Sequence, residues 1–303
     1  MFYKLARSVG SFFGSLLLVS LVIFFIIHLT PGNIAEIHNL SAQTMHVLHL
    51  DRSLTVQYLL WLKDCMRFNL GISMVDGTPV SELIRIYAPA TMLLTFGSLI
   101  FSLFMAIPLG AYRGIRPVAL FGKILSLLVY TLSSVPAFVL GYLVLAVAFG
   151  FFHAYITTPP EGPFSILKWG SYYLLPILVL AIGNGTMGEF VRFISLEVQN
   201  VNTGMFIKAA RARGVPLWPH FFRSMILPIF NIAVTNIAVL LGGLVVVERI
   251  FNFHGLGWLS WEATLKRDFP VIMGITMVMA VMVRLLMLVN EFLAVWIDPR
   301  LRR

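Results

Sequence analysis

The feature that most restricts this chain is a series of apolar runs too long for the core of a soluble domain. Val9 to Thr30 is a stretch of about 22 residues without a charged side chain, enough at ~1.5 Å per residue to cross a hydrocarbon layer of ~30 Å. Comparable runs follow at Ala90 to Ala111, Ile124 to Phe152, Leu174 to Leu196, Ile229 to Val247 and Val271 to Ile297. Lipid offers no partner for backbone N–H and C=O groups, so runs of this length form helices. The expected fold is therefore all-α, a polytopic membrane protein of six transmembrane helices. Composition agrees: 59% of the 303 residues are hydrophobic and 12% are charged, where soluble domains are about half apolar and about a quarter charged.

The first run is preceded by Lys4 and Arg7 and ends in His28-Leu29-Thr30-Pro31-Gly32. That ending lacks the small-residue cleavage site of a signal peptide, so it reads as an uncleaved span with the N-terminus inside. Residues 33–89 form an external loop in which Leu54, Tyr58, Trp61, Leu62 and Cys65 recur at helical spacing within Ser53 to Phe68. An amphipathic helix is expected there, lying on the outer membrane face or packed on the bundle. Ile124 to Phe152 is long for one span and contains Ser133-Ser134-Val135-Pro136. The proline removes a helical hydrogen bond and the serines can re-satisfy freed carbonyls, so either one bent span or a re-entrant pair is expected. Gly242-Gly243 in the fifth run permits close helix contact. The chain thus divides into residues 1–32, a tail and first span; 33–89, the external loop; and 90–303, a core of five spans.

The net charge of +9 does not form a nucleic-acid face, because the basic residues are spread between the apolar runs. Thirteen of the 22 fall on the short segments assigned inside, eight fall on the longer outside segments, and Arg284 lies within a span. This bias places both termini in the cytoplasm. A single cysteine, Cys65, excludes an internal disulfide. No phosphate-binding Gly-Lys loop is present, so any use of ATP belongs to a partner. Ser133-Ser134 has no neighbouring His or Lys and the acids are scattered, which argues against catalysis by this chain.

A hydrophilic interruption, about residues 197–228, is basic and rich in helix formers: Lys208-Ala209-Ala210-Arg211-Ala212-Arg213, then Gly214 and Pro216. A short helix stopped at Gly214 is expected. Ala209-Ala210, three residues, Gly214 and then Ile226-Leu227-Pro228 resemble the coupling loop of ABC-importer permeases, with Lys208 where the general pattern has Glu. Asn69-Leu70-Gly71, Gly77-Thr78-Pro79 and Ala88-Pro89-Ala90-Thr91 resemble the dipeptide, oligopeptide and nickel branch of those permeases. So do Glu248-Arg249-Ile250-Phe251, Gly255-Leu256-Gly257, Arg267-Asp268-Phe269-Pro270 and Asp298-Pro299-Arg300.

The resemblance implies a type I ABC importer permease fold in the cell inner membrane. It implies a second permease chain, usually related but different, two cytoplasmic ATPase subunits that hold ATP and magnesium, and an external substrate-binding protein. It implies that Lys208, Ala209, Ala210, Arg211, Arg213 and Gly214 contact an ATPase subunit. Peptides are the expected cargo; nickel or a metal chelate is the alternative on the same architecture, and a stand-alone channel or ion-driven carrier is the rival class.

Two further constellations stand out. His46-x-x-His49, with His38, places imidazoles on the outer loop as weak metal-ligand candidates, against solvated histidines. Glu189 and Arg284 are charges about 15 and 13 residues into the fourth and sixth runs, at roughly equal depth, ~20 Å from the outer face. Intramembrane charges usually pair or line a water-filled path. Glu189 with Arg284, Glu189 with Arg192, and Arg284 facing a partner permease are the open pairings.

Overall fold

The structure is a computed structural model and describes residues 2–29, 52–152, 166–216 and 218–297. Its helices are α1 (Phe2–Leu29), α2 (Leu54–Met66), α3 (Val80–Ile115), α4 (Leu120–Ser133) and α5 (Ala137–Phe152). They continue with α6 (Ile166–Ile182), α7 (Thr186–Thr203), α8 (Met205–Ala212), α9 (Trp218–Ile250), α10 (Leu256–Leu265) and α11 (Phe269–Ile297). Among the described residues, five helical stretches are long and apolar enough to cross a membrane, and the bent pair α4–α5 makes a sixth if counted as one span. The fold is all-α, as the apolar runs require.

Several elements outrun their apolar segments. α3 starts at Val80, ten residues before its apolar run, and α9 starts at Trp218 and carries Pro228 inside it. Once a helix is nucleated, extending it adds a hydrogen bond per residue, so helices continue past the lipid boundary. The hydrophilic interruption at 197–228 is accordingly shared among the end of α7, α8 and the first turns of α9.

The chain forms two compact units, one of residues 1–89 and 258–295, the other of residues 90–257 and 296–298. In the first unit the amphipathic α2 packs on α1. Tyr58 joins Phe24, Ile27, Phe269 and Met273 in a buried cluster, with Trp61 and Leu62 against it. Two polar contacts fix the register: Tyr58 Oη with Ser20 Oγ at 2.9 Å, and Gln57 Oε1 with His28 Nε2 at 3.1 Å. The turn before α3 pairs Ile72 with Pro79. It is held to the start of α11 by Asp268, whose carboxylate accepts from the Ser73 hydroxyl and, at 3.1 Å, from the Met74 N–H.

In the second unit α3 lies against α6 and α7. Ser98 and Ser102 donate to the carbonyls of Ile177 and Ala181, each at 3.1 Å, the interhelical hydrogen bonding that lipid-embedded bundles use. One turn apart, Gly110 and Gly114 face α7 so closely that a Cβ would sit 2.8 Å from Ile194 Cβ and 2.6 Å from Val198 Cβ. This small-x-x-x-small spacing lets the helices approach.

The kink expected at Pro136 is a bend of 98° between α4 and α5. The expected serine rescue of a freed carbonyl takes another form: Ser134 Oγ donates at 2.7 Å to Tyr130 O, which already accepts the Ser134 N–H, and the Leu132 carbonyl that Pro136 leaves accepts the Val135 N–H at 3.2 Å. The fourth span contains a break that its apolar run conceals. Gly183–Gly185 forms a 3-10 turn, with Asn184 at φ 56° and Gly185 at φ 85°. The two interruptions meet: the Asn184 side-chain carbonyl accepts the Ala137 N–H at 3.0 Å, and Ser133 Oγ accepts the Gly188 N–H at 3.0 Å. Each break thereby satisfies backbone groups that the other exposes.

Candidate functional site

α7 passes through Gly204, an extended residue, directly into α8. On α8 the apolar side is buried, Ile207 at 0% and Ala210 at 1% exposure, whereas Lys208, Ala209, Arg211 and Ala212 are exposed. Arg213 caps the helix and Gly214 follows at φ 68°. The Gly214 N–H bonds to Arg211 O at 3.1 Å and the Val215 N–H to Ala210 O at 3.2 Å, the paired pattern of a Schellman termination. Arg211 donates to Asn202 Oδ1 at 3.0 Å and Arg213 Nε to Ala209 O at 3.3 Å, which orients both guanidinium groups. Of the six residues singled out for coupling, five lie on the surface, and Ala210 packs against the chain's own interior. The small residues on the exposed side of α8 are Ala209 and Ala212.

The intramembrane charges fall in different units. Arg284 donates to Ser11 Oγ at 3.1 Å and to Met287 Sδ at 3.6 Å, and its Nε is buried without a partner. Glu189 and Arg192 are exposed on α7 and line a groove of about 400 Å³ with Tyr130, Ser133 and Ser134. They form no ion pair with each other, and neither makes a hydrogen bond or ion pair among the described residues. A charge at mid-span costs about 2.5–3.5 kcal/mol on insertion scales, which makes an ionisable residue there a candidate for function. The candidates His38, His46 and His49, and the Asp298-Pro299-Arg300 motif, lie outside the described residues.

Sequence reading passed over two parts of this architecture. The break at residues 183–185 sat inside a strongly apolar run, and its signal was the Gly-Asn-Gly triplet, a composition that favours turns. Thr91, Glu248 and Leu256 were noted in separate motifs, yet they form one buried network, for which linear spacing carries no signal.

The described helices make a multi-pass membrane protein with a short basic helix, α8, between two candidate spans. Residues 98–303 match the family model described as "Binding-protein-dependent transport system inner membrane component", and the chain belongs to that family. It is 28% identical to the "Nickel import system permease protein NikB" of Staphylococcus aureus (strain bovine RF122 / ET3-1), over 100% of this chain and 91% of that protein. It is 34% identical to the "Oligopeptide transport system permease protein AppB" of Bacillus subtilis (strain 168), over 81% of this chain and 80% of that protein. The chain is thus a permease component of the nickel and oligopeptide branch of ABC importers and not itself an enzyme. Such a component works with a partner permease, ATPase subunits and a substrate-binding protein.

Proposed function

We propose that this subunit moves peptides delivered by an external binding protein. It pairs with a related but different permease chain and couples through α8 to one of two cytoplasmic ATPase subunits, which hold ATP and magnesium. The observation that carries the coupling in this reading is the exposed side of α8, where Lys208, Arg211 and Arg213 surround the small Ala209 and Ala212; the likeness to an oligopeptide permease supports the peptide cargo. Small residues let another backbone approach closely, and the basic groups supply donors at the rim. Ala210 then seats α8 on its own chain, and Gly214 sets where it ends. Both termini and α8 face the cytoplasm in this reading, in line with the bias of basic residues. ATP closes the ATPase pair, the coupling helices are carried together, and the spans rock between inward-open and outward-open states. The bias comes from the differential affinity of ATP for the closed dimer.

The full-length likeness to a nickel permease favours a second reading in which the cargo is nickel or a nickel chelate. Uptake by cells carrying the importer separates the two, with labelled trialanine and labelled nickel chloride as probes. ATP-dependent trialanine uptake that disappears on deletion of this chain supports the peptide reading. Nickel uptake without peptide uptake transfers the assignment to the second. Transport that persists without any ATPase subunit would place the chain among stand-alone carriers.

A further inference from the structure

We propose that the groove at Glu189 and Arg192 binds the two free ends of a short peptide, Glu189 taking the α-ammonium and Arg192 the α-carboxylate. The inference rests on the peptide-importer reading and adds a recognition site within this chain. Glu189 and Arg192 project from one side of α7, three residues apart, where Cβ atoms are ~5–6 Å from each other. They do not neutralise each other, and neither has a partner among the described residues. Two opposite charges held apart in a span present a dipole that a zwitterion of matching length completes. Extended peptide advances ~3.3–3.6 Å per residue, so the ends of a two- or three-residue peptide reach both groups. The groove of about 400 Å³ falls within the ~300–1,000 Å³ of small-molecule sites.

The walls are set before any ligand arrives. Ser133 Oγ is fixed by the Gly188 N–H and the start of α5 by Asn184, so the floor is two crossed helix breaks tied by hydrogen bonds. Tyr130 and Ser134 line the same groove. Irregular backbone at membrane depth is tolerated where it lines a cavity.

The test uses the assembled importer in lipid nanodiscs, with Ser134→Cys as a reporter in a Cys65→Ser background, since Ser134 is exposed in the groove. Maleimide modification of the reporter should slow in trialanine and should not slow in N-acetylated, C-amidated trialanine. Glu189→Gln and Arg192→Gln should each lose that protection, and Arg192→Lys should keep it, which guards against a merely misfolded variant. Equal protection by the blocked peptide, protection by nickel chloride alone, or no protection by either would overturn the site. Trialanine uptake by cells distinguishes the two levels. Unchanged uptake in Glu189→Gln and Arg192→Gln removes the groove assignment and leaves peptide import standing. Protection in the groove without uptake by the wild type removes peptide import and leaves the site.

Discussion

Thr91 and Glu248 lie 157 positions apart, and the Thr91 hydroxyl donates to Glu248 Oε1 at 2.8 Å while accepting the Leu256 N–H at 2.7 Å. The carboxyl is fully buried, and Gly255 abuts it so closely that a Cβ would collide with Oε1. One hydroxyl therefore serves as donor and acceptor between the start of the second span and the end of the fifth. Thr91→Val keeps the shape and removes both bonds. It should destabilise by ~1–3 kcal/mol for each buried polar group left short, read as a lowered melting temperature in detergent, whereas Thr91→Ser should stay close to wild type.

Gly214 offers a separable test of coupling. Its φ is 68° and a Cβ there meets nothing within 4 Å, so a substitution is opposed by backbone conformation alone, at ~1–3 kcal/mol. Gly214→Val should uncouple transport from ATP hydrolysis in the reconstituted importer while leaving the spans inserted. Gly214→Asn should retain more coupling, because Asn tolerates the left-handed region. Wild-type coupling in the valine variant would remove this turn from the mechanism.

Cys65 should be a slow thiol. Burial, reinforced by the neighbouring Asp64 carboxylate, pushes it up to about 12, against ~8.5 for a free cysteine. Below that value only the small thiolate fraction reacts, so maleimide labelling should accelerate ~tenfold per pH unit across the neutral and mildly alkaline range. A cysteine at the exposed position 212, introduced as Ala212→Cys in a Cys65→Ser background, should label fast in permeabilised cells and not in sealed ones. Labelling of position 212 in sealed cells would reverse the proposed orientation.

Glu189 and Arg284 are also open to a charge-swap experiment. Pairing between them predicts that Glu189→Arg combined with Arg284→Glu recovers much of the transport lost in each single variant. The groove site predicts no recovery, because Glu189 then serves the ligand. Transport rates of the two singles and the double variant decide between these outcomes.

Element type was readable wherever local composition decides it. Apolar run length marks the spans, helical spacing of Leu54, Tyr58, Trp61 and Leu62 marks α2, and the Lys208-to-Gly214 pattern marks α8 and its cap. The breaks were half readable. Pro136 announces the bend in the third span, but Gly183-Asn184-Gly185 is outweighed by the apolar residues on both sides. Pairings over long separations were not readable at all. Nothing local to Ser73 points to Asp268, and nothing local to Thr91 points to Glu248. Such contacts depend on how helices are arranged in space, which hydrophobic period leaves open.

α7 has a mechanical meaning beyond joining two sites. Its 18 residues run from the break at Gly185 to the junction at Gly204, a rod of ~27 Å. α8 sits at one tip, and Glu189 and Arg192 lie within the first two turns of the other. α7 has no interruption between Thr186 and Thr203 to absorb motion, so under the proposed coupling whatever part of a push on α8 passes the Gly204 junction would reach the two charged side chains as a rotation of one rod about the 183–185 turn. On that proposal, the docking helix and the groove are the two ends of one stiff element.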